Sequence, residues 1–348
     1  LDFNRDQTQD AVAEAAVGLL DRAASQSADA LWSTLHSAGL VSLALPERFG
    51  GDGLGIGAVT TLLTEIGRRA ADAPALATLG FGVLPLLAMA DDEVLDAMLG
   101  QVEEGAVLTA ALNEPGAPFT TSPATTAAAE GDSLVISGSK VGVPYADQAF
   151  RILVPTDAGV VLVAPEAPGV TLTRTPTSSG APEFAVRFDG VSVPKSQLLQ
   201  AELRVLHRHA LACMAAQADG LLSGAMALTA AHIGTRQQFG KPLATFQAVA
   251  QEIADVYVTS RTLHVAALSA AWRLGEGLPA DDDLDVVAYW LATEVPAAMQ
   301  VCHHLHGGLG VDVTYPMHRY SSQAKDLARL VGGSSLRLDL LGARCTSN

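Results

Sequence analysis

The sequence predicts an α+β chain in three successive blocks: an all-helical N-terminal domain over residues 1–106, a small β-domain over 107–199 and a C-terminal four-helix bundle over 200–348. Two changes of hydrophobic period carry that division. Apolar residues recur every three to four positions up to about residue 106, alternate with period two from 107 to 199, and return to helical spacing from 201. Composition agrees, because 49% of the 348 residues are hydrophobic and only 5% are aromatic, which suits closely packed helices rich in Ala, Leu and Val. Length alone favours two or three compact units.

Taken in order, Val12, Ala15, Leu19 and Leu20 share one face of a first helix, and Leu31, Trp32 and Leu35 one face of a second. A glycine-rich connection over residues 39–54 follows, where Pro46 blocks helix and the glycines admit positive φ. Residues 59–69 and the segment to Leu99 read as further helices. In the β block the period-two runs are residues 133–137, 151–155, 160–164, 170–174 and 184–188. Residues 204–234, 246–275, 284–306 and 315–330 then read as four long helices. Gly220 and Gly224 fall on one face of the first, which permits a close helix neighbour. Helices this apolar bury more than one face, which implies subunit contacts.

The net charge of −16 argues against a nucleic-acid partner, since phosphate backbones demand a basic face, but a few local cations suffice for a small anionic ligand. Cys213, Cys302 and Cys345 are too scattered for a disulfide framework or a cysteine zinc site, which fits a reducing, cytoplasmic setting. The run Leu1-Asp2-Phe3-Asn4-Arg5-Asp6 does not read as a signal peptide, and Gln217 and Asp219 interrupt the most apolar helix, so no membrane span is expected. Cys302, His303, His304 and His306 point to different sides of a helix and suggest no metal site. Asp281, Asp282 and Asp283 read as a solvated interhelical loop ending at a helix N-terminus.

The densest chemistry lies in residues 236–247, Arg236-Gln237-Gln238-Phe239-Gly240-Lys241-Pro242-Leu243-Ala244-Thr245-Phe246-Gln247. A guanidinium fork such as Arg236 suits a pyrophosphate, Phe239 offers a flat apolar face, Gly240 and Pro242 read as a helix stop, and Phe246 and Gln247 open the next helix. An ordinary helix-turn-helix corner accounts for the same residues. The tract resembles the Arg-x-x-Phe-Gly…Phe-Gln segment of the acyl-CoA dehydrogenase family, and other resemblances occur in family order over nearly the whole chain. Residues 39–54 resemble the family's Gly-Leu…Pro-Glu…Gly-Gly-x-Gly loop, Leu112-Asn113-Glu114-Pro115-Gly116-Ala117 its Thr-Glu-Pro-Gly-Ala-Gly-Ser-Asp loop, and Phe188-Asp189-Gly190-Val191-Ser192-Val193-Pro194 its Phe-Asp-x-Val-x-Val-Pro signature. His304-Leu305-His306-Gly307-Gly308-Leu309-Gly310 is similar to Gln-x-x-Gly-Gly-x-Gly, with His304 in place of Gln.

The resemblance implies the family's helical, β, helical fold, an FAD cofactor, an acyl-CoA substrate and an electron-transfer flavoprotein-type acceptor. Family members take a proton from the carbon beside the thioester carbonyl with a glutamate and pass a hydride from the next carbon to flavin N5. The two positions at which the family places that glutamate correspond here to Val331 and Ala210, so no catalytic residue is expected in this chain. On the flavin-ring side, Gly142 and Pro144 stand where the family has a tryptophan and a hydroxyl, Asn113 replaces Thr, and Pro118 and Phe119 replace Gly-Ser. The ADP-side positions, which in the family serve a neighbouring subunit's FAD, are kept: Arg236, Gln238, Phe239, Phe246, Gln247, His304, Gly307 and Gly308. Gly307 to Gly310 also read as a helix C-cap. The pattern resembles the base-deficient subunit of mixed, two-plus-two acyl-CoA dehydrogenases of steroid-degrading actinobacteria. It implies a homologous partner chain carrying the glutamate and a steroid side-chain CoA ester as substrate. Two alternatives stay open: a homotetramer using Glu202, His207 or His209 as an unusual base, and a non-enzymatic acyl-CoA-binding or scaffold protein.

Overall fold

The computed structural model describes residues 5–199 and 201–346, without the side chain of Cys345. The expectations for Leu1, Asp2, Phe3, Asn4 and Cys345 therefore lie outside the described residues. Helices α1 (Gln7–Arg22), α2 (Ala28–Ser37), α3 (Ile56–Arg68), α4 (Leu84–Met89) and α5 (Asp92–Glu103) come first, with a buried π-helical stretch Leu76–Val83 before α4. Their starts are chemically marked. Asp6 accepts from the Gln9 N–H while the Gln9 side chain returns to the Asp6 N–H, and Asp91 caps α5 through the Val94 N–H at 3.0 Å.

The middle block holds β1 (Val107–Ala110), β2 (Thr126–Glu130), β3 (Ser133–Pro144), β4 (Ala149–Thr156), β5 (Gly159–Val163), β6 (Val170–Arg174), β7 (Glu183–Pro194) and β8 (Leu198–Leu199). They form two four-stranded sheets, ordered β1-β4-β5-β8 and β2-β3-β7-β6. Among the described residues, the β1–β4 pairing is parallel and the others in these sheets are antiparallel. Period two is visible in β7, where Val186, Phe188, Val191 and Val193 are buried and Arg187, Asp189 and Ser192 are exposed. β4, paired on both sides, is a continuous buried run from Ile152 to Thr156 instead.

Helices return with α6 (Leu203–Thr235), then a two-stranded hairpin of β9 (Gln237–Gln238) and β10 (Lys241–Pro242), then α7 (Gln247–Gly275), α8 (Asp281–His306), α9 (Met317–Leu330) and α10 (Gly333–Thr346). The helical, β, helical order matches the sequence reading, with one addition: α10 is a fifth C-terminal helix. One reading is corrected. Asp281, Asp282 and Asp283 form the first turn of α8 rather than a loop, where the positive end of the helix favours them, and Asp283 and Asp282 pair with Arg273 and Arg344 at 3.0 and 3.2 Å.

The chain forms two compact units. One gathers the N-terminal stretch to Ala24, Thr60–Ala71 and everything from Met214 on; the other comprises Ser25–Val59 and Asp72–Cys213. Within the first, Gly220 and Gly224 do what their spacing predicts. A Cβ at Gly220 would fall 2.0 Å from the Thr64 carbonyl oxygen, and one at Gly224 would fall 2.2 Å from that of Arg68, so α6 and the α3 backbone touch there. Gly220→Ala is expected to cost about 1–3 kcal/mol through forced backbone separation, read as a lower denaturation midpoint. α6 is long and apolar enough to cross a membrane by length and composition, but 72% of its most apolar window is buried inside the protein, as a core helix requires. Its Asp219 is buried and takes the His264 Nδ1 at 2.8 Å, which explains a carboxylate in that setting.

Candidate functional site

α6 stops one residue before Arg236, whose N–H still donates to the His232 carbonyl at 2.8 Å. The Arg236 carbonyl accepts from the Leu243 N–H at 2.9 Å, closing a loop in which Lys241 pairs with Gln238 and Pro242 with Gln237. This corrects the helix-stop reading of Gly240 and Pro242. Phe239 and Gly240 have φ of 51° and 79°, the paired positive values of a tight two-residue hairpin turn. Asn or Gly takes the first of those positions comfortably; a phenylalanine there costs on the order of 1 kcal/mol. The strained backbone holds a ring that is 93% exposed.

Phe239 meets Phe246 edge-on at 6.3 Å, and Lys241 Nζ lies 4.3 Å over the Phe246 ring. Phe246 caps α7 with its backbone carbonyl, which takes the Ala250 N–H at 2.9 Å, and Gln247 opens the helix, as expected. Arg236, Gln238 and Gln247 are exposed, and Arg236 has no ion pair among the described residues.

The glycine turn follows α8. Gly307, at φ 58° and ψ −138°, occupies backbone space essentially reserved for glycine, so it does cap the helix, and a 3₁₀ turn Gly307–Val311 continues from it. A Cβ at Gly307 or Gly308 would meet nothing within 4 Å, so the surface above both is open. His304 is exposed, with Nε2 4.0 Å from Glu252 of α7. His306 is buried, its Nδ1 2.8 Å from the Cys302 carbonyl and its Nε2 3.1 Å from the Tyr315 hydroxyl. Its ring stacks on His232 at 4.6 Å between centroids and 22° between planes.

These links bring the end of α6, the start of α7 and the end of α8 together, and with them all eight predicted positions. Sequence reading missed His232 and Tyr315. The available signal was helical spacing, since His232 lies one turn before Arg236 on the same face.

The positions compared with a flavin-ring side belong to the other unit. Lys140, 1% exposed, donates to Glu114 at 2.8 Å, and Glu114 also accepts from the Thr125 hydroxyl at 2.6 Å and the Ala124 and Thr125 N–H groups at 2.8 and 2.9 Å. Burial pushes the Glu114 carboxyl up, but those four donors outweigh it and hold it at about 2. Gly142 has φ 67° where the β3–β7 register slips, and Pro144 has no N–H to offer. Phe119, at φ 51°, is buried with its N–H on Asn113 Oδ1 at 3.0 Å and its ring 5.1 Å from that of His207.

Ala210 is fully buried on α6. Val331, fully buried in its own unit, ends α9, and its carbonyl accepts from Arg337 Nε at 2.7 Å. Burial pulls the Arg337 guanidinium down to about 10, partly offset by Asp285. Of the alternative bases, Glu202 is exposed, His207 is buried against Phe119, and His209 commits Nδ1 to the Val205 carbonyl at 2.8 Å.

Two family models match the chain: the acyl-CoA dehydrogenase N-terminal domain over residues 3–106 and the acyl-CoA dehydrogenase C-terminal domain over residues 206–345. The acyl-CoA dehydrogenase FadE28 of Mycobacterium tuberculosis is 51% identical over 99% of both chains. Among solved structures, the ChsE4-ChsE5 complex from Mycobacterium tuberculosis superposes with a TM-score of 0.93 at 28% identity over 100% of both chains. The Tcur3481-Tcur3483 steroid ACAD G363A variant does so at 0.90 and 34%, over 98% of this chain and 99% of that one. With its helical, β, helical fold and its matches at both ends, the chain belongs to the acyl-CoA dehydrogenase family, whose members are FAD-dependent flavoproteins.

Proposed function

We propose that this chain is the base-deficient subunit of a mixed acyl-CoA dehydrogenase, two copies each of two related chains, in which it completes the ADP side of an FAD held mainly by its partner. The observation that carries the reading is an asymmetry. Both positions where the family keeps its glutamate hold buried alkyl groups, Ala210 and Val331, while the ADP-side residues stand exposed. An alkyl side chain cannot accept a proton, so the partner must bring the glutamate that abstracts one from the acyl-CoA. FAD, when bound, supplies the hydride acceptor for the second half of the desaturation.

This chain's residues fit one end of that cofactor and not the other. Arg236 presents two parallel N–H donors to pyrophosphate oxygens, Phe239 a flat face, Gln238, Gln247 and His304 hydrogen-bonding groups, and Gly307 and Gly308 a backbone with no side chain in the way. At the ring end Gly142 and Pro144 supply neither an aromatic face nor a side-chain hydroxyl. Exposed apolar side chains such as Tyr257, Val258, Val311 and Val313 support subunit burial. That two of the similar solved structures are named as pairs, the ChsE4-ChsE5 complex and the Tcur3481-Tcur3483 steroid ACAD, supports a heteromeric assembly acting on a steroid side-chain CoA ester. An electron-transfer flavoprotein-type acceptor follows from the same family chemistry.

The test separates the two chains. Changing the partner's glutamate to glutamine abolishes acyl-CoA dehydrogenation by the complex, whereas Glu202→Gln here leaves it unchanged. Val331→Glu in this chain alone gives little turnover, because Gly142 and Pro144 remain. Substantial dehydrogenation by that single variant contradicts the proposal.

A further inference from the structure

We propose that His232 and His306 are a positioning pair that couples the Arg236 hairpin to the Gly307–Gly308 turn, so that both parts of the surface offered to the partner's dinucleotide are set as one piece. This rests on the shared-site reading above. His306 immediately precedes Gly307, and both of its ring nitrogens are engaged. Nδ1–H donates to the Cys302 carbonyl, which leaves Nε2 with the lone pair that accepts the Tyr315 O–H. With its plane fixed from both edges, the ring presents one face to His232, nearly parallel at 4.6 Å.

His232 sits one helical turn before Arg236, and its carbonyl takes the Arg236 N–H at 2.8 Å. A tilt of either imidazole therefore moves the end of α6 and the start of the glycine turn together. Gly307 needs such an outside constraint, because a residue without a Cβ has little local preference of its own.

The surrounding charges favour a neutral stack. His232 faces His306 across the stack and Arg236 beyond its own helix, and Tyr315 lies behind His306 at 5.2 Å. His303, on the next turn of α8, is itself faced by His306 and by Lys325 and His318 of α9. Burial first, then His306 and Arg236, lower the His232 pKa, and burial lowers that of His306. The stack thus contributes fully above the ordinary histidine value near 6.5 and is lost as pH falls below it.

Hydrogen–deuterium exchange of the full chain, read by mass spectrometry, tests the coupling without any flavin. His232 is only half-buried and helical, so alanine is tolerated there. His232→Ala is expected to speed exchange about tenfold in peptides covering both 236–246 and 306–316, and His232→Phe, a flat ring that cannot titrate, to restore protection. Lowering the pH from about 7.5 to 5.5, with intrinsic exchange corrected for, opens both regions in the unaltered chain and not in the phenylalanine variant. Faster exchange confined to residues around 232, or an alanine variant that matches the unaltered chain, overturns the coupling.

In the assembled complex, His232→Ala weakens FAD retention about tenfold and His232→Phe does not. Arg236→Ala separates the two ideas. If Arg236→Ala leaves flavin bound, the shared site is wrong and the exchange result alone decides the coupling. If Arg236→Ala releases flavin while His232→Ala does not, the positioning role is wrong and the shared site stands.

Discussion

Arg236→Ala is expected to strip flavin from the proposed complex while leaving this chain folded. The side chain is exposed and has no ion pair among the described residues, and the two backbone hydrogen bonds that hold its loop survive the substitution. Little stability is therefore at stake. A guanidinium on a pyrophosphate contributes two charge-assisted hydrogen bonds, and losing the pair costs about 3 kcal/mol, or roughly 100-fold in Kd. Arg236→Lys keeps the charge without the fork and falls between, at about tenfold. Absorbance of the flavin that stays with the complex through gel filtration reads the difference. Full flavin content in the alanine variant places the pyrophosphate elsewhere.

Glu114→Ala acts on the other unit and on stability. It strands the Lys140 ammonium, 1% exposed, without its carboxylate and leaves the Thr125 and Ala124 N–H groups without their acceptor. Removing one partner of a buried pair costs about 3–5 kcal/mol, enough to unfold a marginal domain. The pH dependence gives an independent check. Glu114 is held at about 2 against an ordinary 4.5, so its stabilisation is present above about pH 4.5 and is lost as pH falls toward 2. The shift corresponds to about 3 kcal/mol, of the same order as the mutational cost. Replacing both groups, as Glu114→Gln with Lys140→Met, recovers much of the loss, because no charge is then left buried alone. Denaturation midpoints between about pH 3 and 7 measure both effects; a profile identical to that of the alanine variant contradicts a depressed Glu114.

What sequence could and could not reveal follows from how local each signal is. The long helices and the β block are written in hydrophobic period, and Gly220 and Gly224 announce a close contact by spacing alone. α10 escaped for a physical reason: Arg337 is its only buried side chain among the described residues, so it carries no apolar stripe. The hairpin was mistaken for a helix stop because Gly240 and Pro242 suit both, and nothing local shows that Phe239 takes a left-handed backbone. The Lys140–Glu114 pair and the His232–His306 stack join residues 26 and 74 positions apart, beyond any periodic pattern. The two glutamate positions of the family fall by resemblance on Val331 and Ala210, and both side chains are fully buried.

Native mass spectrometry of this chain, first alone and then co-expressed with a homologous chain carrying the glutamate, tests the shared site most directly by counting subunits and FAD together. The expected result is no flavin on this chain alone, and two flavins in a tetramer built from two copies of each chain. Four flavins on a homotetramer of this chain contradict a shared site and return the search for a base to Glu202, His207 and His209.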